Sequence, residues 1–180
     1  FDSAKKWVDY MKENAPGFRM IMPDIRGMAD SEHVAECEPS DWVLDLRSFL
    51  DELGIDSVHL ASETLGTRIV TRFAYENPAR VKSLILNGPI AYSDPEGDED
   101  RVRQADPSNI TPEALARLEY YHGSGALDVN LFYVKMHAKP EFHEYYDLRT
   151  IASEVKTPTL ILRGDMDEVR HPVGHANQLP

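Results

Sequence analysis

Cysteine is nearly absent from this chain: Cys37 is the single thiol among 180 residues. One thiol excludes an intrachain disulfide framework, a CxxC pair and a cysteine-based zinc site, and it is compatible with a reducing compartment. Basic residues are also scarce, with 19 Lys and Arg against 31 Asp and Glu, a formal net charge of -12 and a pI near 4.9. That balance argues against nucleic acid or an anionic membrane surface as a partner, and says nothing about the fold. No apolar run approaches membrane-spanning length, and the opening FDSAKKWVDYMKENAPGF has no signal-peptide pattern. No GxGxxG opens a helix after a strand, which disfavours a dinucleotide-binding fold. The expectation from these absences is a cytoplasmic protein with neither nucleic acid nor membrane as a partner; self-association is left open.

What is present, 42% hydrophobic and 28% charged residues, suits one soluble globular domain with a real core. The chain opens without an initiator Met and directly on a helical pattern of Trp7, Val8 and Met11, so the start of the native protein is expected to be missing. FRMIMP (18–23) reads as a short buried strand closed by Pro23. After a loop, Ser40 or Asp41 is placed to cap a helix with Trp42, Leu46, Phe49, Leu50 and Leu53 on one face and Gly54 at a left-handed C-terminal position. SVHLA (57–61) reads as a strand, SETLG as a tight turn, TRIVTRFAYEN (67–77) as a helix with Ile69, Val70, Phe73 and Ala74 inward, and VKSLIL (81–86) as another strand.

Strand and helix in alternation with short connections predict an α/β fold: a mostly parallel sheet flanked by helices on both faces. From about Asn87 to Lys156 the strand pattern stops. The acidic run DPEGDED (94–100) reads as a solvated loop, and helical stretches follow, one capped by Thr111 with Pro112 in its first turn. TPTLILRGD (157–165) resumes as a strand. The expected division is a core of residues 1–90 and 157–180, with 91–156 a helical lid over the carboxyl edge of the sheet, where ligands bind in open α/β folds.

The run SETLG carries the chemistry. A strand that turns sharply into a helix to present a side chain needs small residues two before and two after it, and Ser62 and Gly66 meet this condition around Thr64. Three stretches in order then resemble the α/β-hydrolase family, with its lid-containing, serine-hydrolase-like members: FRMIMPDIRGMADS, VHLASETLGTRIVTRFAYENPARVKSLILNGP and VKTPTLILRGDMDEVRHP. The resemblance implies acyl-transfer-type chemistry, in which a hydroxyl attacks a carbonyl, a histidine takes its proton, an acid orients that histidine and backbone N–H groups hold the oxyanion. It places Thr64 at the nucleophile position, the Leu65 N–H at one oxyanion donor and Asp167 at the acid. The second donor is expected before Phe1 and the histidine beyond Pro180.

Among the histidines present, His171 and His175 follow Asp167 too closely to reach the turn unless the backbone doubles back. His59 reads as a core or edge strand residue, His122, His137 and His143 fall in the lid, and His33 is in a loop. Threonine is a poorer choice than serine at this position. The turn demands positive φ, costly for a β-branched side chain, and the methyl group crowds an approaching carbonyl. Three explanations fit: a slower hydrolase, use of the fold for non-covalent chemistry or binding, or a substituted residue. Epoxide hydrolases and dehalogenases of this fold use an aspartate nucleophile, which Thr64 is not. The main expectation is hydrolysis of a small or medium ester, lactone or ring-cleavage diketone with an apolar portion, without metal or organic cofactor. The alternative is a silent relative that binds a small ligand or a protein.

Overall fold

The computed structural model describes residues 3–15, 17–93, 95–165 and 173–179. The elements in chain order are α1 (Lys5–Asn14), α2 (Asp41–Glu52), β1 (Val58–Glu63), α3 (Leu65–Glu76), β2 (Val81–Asn87), α4 (Pro95–Ala105), α5 (Pro112–His122), α6 (Ala126–His137), α7 (Pro140–Tyr145), β3 (Thr159–Leu162) and α8 (Val173–Ala176). The chain has an α/β fold with a parallel sheet flanked by helices. It divides into two compact units, Phe1–Cys37 with Arg101–Met136 and Glu38–Asp100 with His137–Pro180.

The second unit holds the sheet, ordered β1-β2-β3 and parallel throughout, with Leu60, Ala61 and Ser62 opposite Leu84, Ile85 and Leu86. The alternation of strand side chains decides which face is closed. Leu84 and Leu86 on β2 are buried, whereas Ile85, Leu160 and Leu162 are exposed. Helix α3 packs on β1 and β2, and its Ile69, Val70, Phe73 and Ala74 are all buried. Each large apolar side chain taken fully from water contributes about 1.5–3 kcal/mol, so this single helix carries much of the unit's core. Helix α2 packs on α3 and ends at Gly54, whose φ of 62° is the left-handed turn expected there. At its start Ser40 already has helical angles and makes no side-chain cap. Asp41, the first helical residue, instead accepts from the Glu38 N–H ahead of the helix, at 2.9 Å.

Trp42 on α2, Phe142 and Tyr146 form an aromatic cluster, with ring centroids 6.2 Å apart from Trp42 to each of the other two. All three are buried, and the Tyr146 hydroxyl donates to the Pro39 carbonyl at 2.7 Å. Nearby on the surface of this unit, the Tyr145 hydroxyl and Arg72 Nε both donate to Glu76 Oε1, at 2.8 and 2.7 Å. Burial first, and then the Glu76 carboxylate, push the Tyr145 phenol up to about 12. A pKa raised on folding makes the protonated fold the stabilised one, so this contribution is complete below about pH 10 and fades as pH rises towards 12. Ultraviolet titration of Tyr145, isolated by difference against Tyr145→Phe, is expected to show ionisation near pH 12, with Glu76→Gln bringing it down. A midpoint near 10 in the unsubstituted protein contradicts this.

The first unit departs from one sequence expectation. Residues 18–23 form no strand, and Phe18 is 69% exposed. Apolar content alone does not make a strand; a neighbour must accept its ladder, and among the described residues only β1, β2 and β3 pair. The loop that follows is well anchored within the unit. Gly27 N–H donates to the Glu32 carbonyl at 2.8 Å, Ser31 donates to the Asp24 carbonyl, and Asp24 accepts from the Ala4 N–H. Ala29 has a φ of 50°, and its peptide groups are held by two imidazoles: His122 Nδ1 accepts its N–H at 3.1 Å and His33 Nε2 donates to its carbonyl at 2.7 Å.

The acidic run also differs from expectation. From Pro95 onward it is the start of α4 rather than a loop. Proline suits the first helical turn, and acidic residues there are favoured by the helix dipole, so the composition that suggested solvation equally specifies a helix start.

Candidate active site

Strand β1 ends at Glu63 and α3 begins at Leu65, leaving one residue, Thr64, to make the reversal. Its backbone angles are φ 47° and ψ -118°. For a β-branched residue this conformation costs on the order of 1–3 kcal/mol, so the surroundings must enforce it. Three hydrogen bonds do so. The Thr64 N–H donates to the Asn87 carbonyl at the end of β2, at 3.2 Å, and the Thr64 carbonyl accepts from Thr67 N–H at 3.0 Å and from the Thr67 hydroxyl at 2.5 Å.

The flanking small residues have a visible steric reason. A Cβ added to Gly66 would stand 3.1 Å from the Ser62 Cβ, tighter than ordinary van der Waals contact. Strand and helix therefore approach closely only because position 62 is small and position 66 has no side chain. The Ser62 hydroxyl is buried there with no hydrogen-bond partner among the described residues, which suits a packing role and not an attacking one. Thr64 itself is exposed, while Leu65 next to it is buried. The Leu65 N–H is the first of α3, where no preceding turn supplies a carbonyl, so it is a donor available to an anion.

The loop after β2 lies against the same helix. The Ile90 N–H donates to the Thr67 hydroxyl oxygen at 3.3 Å, and Arg68 donates from Nε to the Ile90 carbonyl and from Nη1 to the Ser93 hydroxyl. Arg68 is 1% exposed. The Asp147 carboxyl is held below its usual range chiefly by Arg149, with Arg68 adding a smaller attraction. His175 lies in α8, after β3, and contacts this loop: its Nδ1 accepts the Ala91 N–H at 3.3 Å and its ring sits 4.2 Å from that of Tyr92. His143 Nδ1 is hydrogen-bonded to the Ser93 hydroxyl, with Asp98 Oδ2 at 3.7 Å. His59 lies on the exposed side of β1 and shares a 2.8 Å hydrogen bond with Ser83. His33 and His122 belong to the first unit. Asp167 and His171 lie outside the described residues.

Comparison with known proteins shows the family. The family model for the alpha/beta hydrolase fold matches residues 1–122. The chain belongs to the α/β-hydrolase family. Among curated relatives of this α/β-hydrolase, a 2-hydroxy-6-oxo-6-phenylhexa-2,4-dienoate hydrolase of Burkholderia cepacia is 34% identical over 89 residues, 46% of this chain and 31% of the relative. Epoxide hydrolase 2 of Siraitia grosvenorii is 39% identical over 74 residues, 38% of this chain and 23% of the relative. The aligned stretch thus spans about a third or less of the curated relatives it matches. Among solved structures, a meta-cleavage product hydrolase from Pseudomonas fluorescens IP01 superposes with a TM-score of 0.73 at 21% identity, covering 99% of this chain and 72% of that one. A thermophilic esterase from Thermogutta terrifontis gives 0.73 at 21%, over 99% and 74%. These superpositions carry the fold. Among the described residues no helix is long and apolar enough to cross a membrane.

Proposed function

We propose that this chain carries the nucleophile of a hydrolase that cleaves a small or medium ester, a lactone or the C–C bond of a ring-cleavage diketone. The observation that carries the reading is Thr64 itself, exposed at φ 47° between β1 and α3, with the buried Leu65 and its N–H, the first of the helix, beside it. In this reading Thr64 Oγ attacks the substrate carbonyl carbon and an imidazole oriented by Asp167 takes the hydroxyl proton. The Leu65 N–H stabilises the oxyanion, and Ser62 and Gly66 let the turn form. The tetrahedral adduct collapses to an acyl-enzyme with loss of the leaving group, which receives the proton, and water then releases the acid. No step calls for a metal or an organic cofactor. In this reading residues 91–156 make up the lid, and the substrate is a small molecule with an apolar portion.

The names of the relatives support the substrate class: a dienoate hydrolase in sequence, and an esterase and an N-acyl homoserine lactone degrading enzyme among the folds. A three-substrate assay tests it. Loss of the 2-hydroxy-6-oxo-6-phenylhexa-2,4-dienoate chromophore, release of p-nitrophenol from its acetate and opening of an acyl lactone are followed in parallel, with Thr64→Ala beside each. Turnover of at least one that disappears on substitution is expected. Tight binding of a substrate with no turnover favours a silent binding protein, and turnover indifferent to Thr64 removes the assignment.

A further inference from the structure

The Thr64 carbonyl is gripped by both donors of one residue, the N–H and the hydroxyl of Thr67, at 3.0 and 2.5 Å. Threonine hydroxyls in helices commonly bond a carbonyl three or four residues back, and such a bond by itself is only local packing. Two features make this one different. The carbonyl belongs to the strained residue that presents the attacking hydroxyl, and the Thr67 oxygen is itself fixed by the Ile90 N–H of the loop after β2, at 3.3 Å. The hydroxyl's one proton goes to Thr64 and a lone pair receives Ile90, so both of its roles are used. Thr67 is 0% exposed, so water does not compete for either bond.

The Thr64 carbonyl and the Leu65 N–H are the two ends of one planar trans peptide, and they point in opposite directions. Whatever fixes the carbonyl therefore fixes the N–H. A hydrogen bond to the carbonyl also polarises the peptide, which strengthens the N–H as a donor. We infer that Thr67 is a positioning residue: its hydroxyl, anchored by Ile90, aims and polarises the Leu65 N–H for the oxyanion that forms when Thr64 attacks. Arg68 completes the arrangement by donating to the Ile90 carbonyl at 3.2 Å, so adjacent residues of α3 hold both backbone polar groups of Ile90, which belong to successive peptides. The inference rests on the proposed reading of Thr64 as nucleophile and deepens it.

Thr67→Val keeps the side-chain shape and removes the hydroxyl, whereas Thr67→Ser keeps the hydroxyl. Deleting an oxyanion donor costs about a hundred- to a thousandfold in kcat, so a misaimed donor is expected to cost about ten- to a hundredfold in Thr67→Val, with KM nearly unchanged and Thr67→Ser close to the unsubstituted protein. In amide-exchange and NMR measurements on the same proteins, Thr67→Val is expected to expose the Ile90 amide and shift the Leu65 amide resonance, and Thr67→Ser to restore both. If Thr67→Val does not fold, the unsubstituted protein still decides the point: a slowly exchanging Thr67 hydroxyl proton is expected, and a rapidly exchanging one overturns the inference. Hydrolysis lost in Thr64→Ala but undiminished in Thr67→Val overturns the inference alone. Absence of hydrolysis from the unsubstituted protein overturns the proposed function and, with it, the role given to Leu65.

Discussion

Thr64→Gly is expected to make the protein more stable and inactive at once. At φ 47° and ψ -118°, threonine bears a strain of about 1–3 kcal/mol that glycine does not. Glycine gives back about 0.5–1 kcal/mol through the larger entropy of its unfolded chain, leaving a net gain of about 1 kcal/mol. Removing the attacking hydroxyl should at the same time lower hydrolysis by at least about a thousandfold. A stabilising substitution that abolishes activity is the pattern of a residue kept for function against its structural interest. Thr64→Ser sharpens the point, since it keeps the hydroxyl and removes the methyl group; turnover is expected to rise by about tenfold, equivalent to about 1.4 kcal/mol in the barrier. Urea unfolding and steady-state kinetics on the unsubstituted protein and these two variants check both halves. Destabilisation by glycine would falsify the strain argument, and retained hydrolysis would remove the nucleophile.

The second large effect lies in the first unit. Gly27→Ala is expected to destabilise by about 3–5 kcal/mol, from positive-φ strain and overpacking of about 1–3 kcal/mol each, with the upper range set by how little the neighbour can move. Gly27 has a φ of 84°, and a Cβ there would lie 2.2 Å from Phe132 Cε1 and 2.6 Å from Cζ. Phe132 is 2% exposed, so its ring has nowhere to go. Gly54→Ala is the internal control, because Gly54 has a φ of 62° but, among the described residues, nothing within 4 Å of its would-be Cβ. It isolates the backbone cost, about 1 kcal/mol. For a chain of this length the difference corresponds to roughly 10 °C in Tm. Equal shifts for the two variants in a thermal melt contradict the steric part of the explanation.

How much of this was legible in the sequence varies with the physics behind each element. The turn at Thr64 was legible because a close strand-to-helix approach imposes small residues at fixed offsets, and Ser62 and Gly66 are those residues. The strands β1, β2 and β3 were legible because buried parallel strands are dense in Val, Ile and Leu. FRMIMP is apolar through Phe18, Met20, Ile21 and Met22 and yet pairs with no strand among the described residues, since strand formation depends on a partner that composition does not report. The acidic run was read for its charge, although Pro95 and the acids after it also specify a helix start.

Around the active site, the hydrophobic period of α3 found Ile69, Val70, Phe73 and Ala74 but passed over Thr67, Arg68 and Thr71, which are equally buried. Polar side chains on a helix are assigned to solvent by default. Here the loop after β2 covers that flank and supplies peptide groups that Thr67 and Arg68 satisfy. No local pattern announces such a partner. The reach of His175 back to the Ala91 N–H was missed for the same reason, since its distance in sequence from that loop concealed the contact.

The most direct test of Thr64 as nucleophile is the covalent adduct itself. The unsubstituted protein is treated with a fluorophosphonate and digested, and the modified residue is located by tandem mass spectrometry. A phosphonyl group on Thr64 Oγ, formed with loss of fluoride and absent from Thr64→Ala, is the expected result. A stable adduct on any other side chain, or a Thr64 that stays unmodified while hydrolysis proceeds, contradicts it.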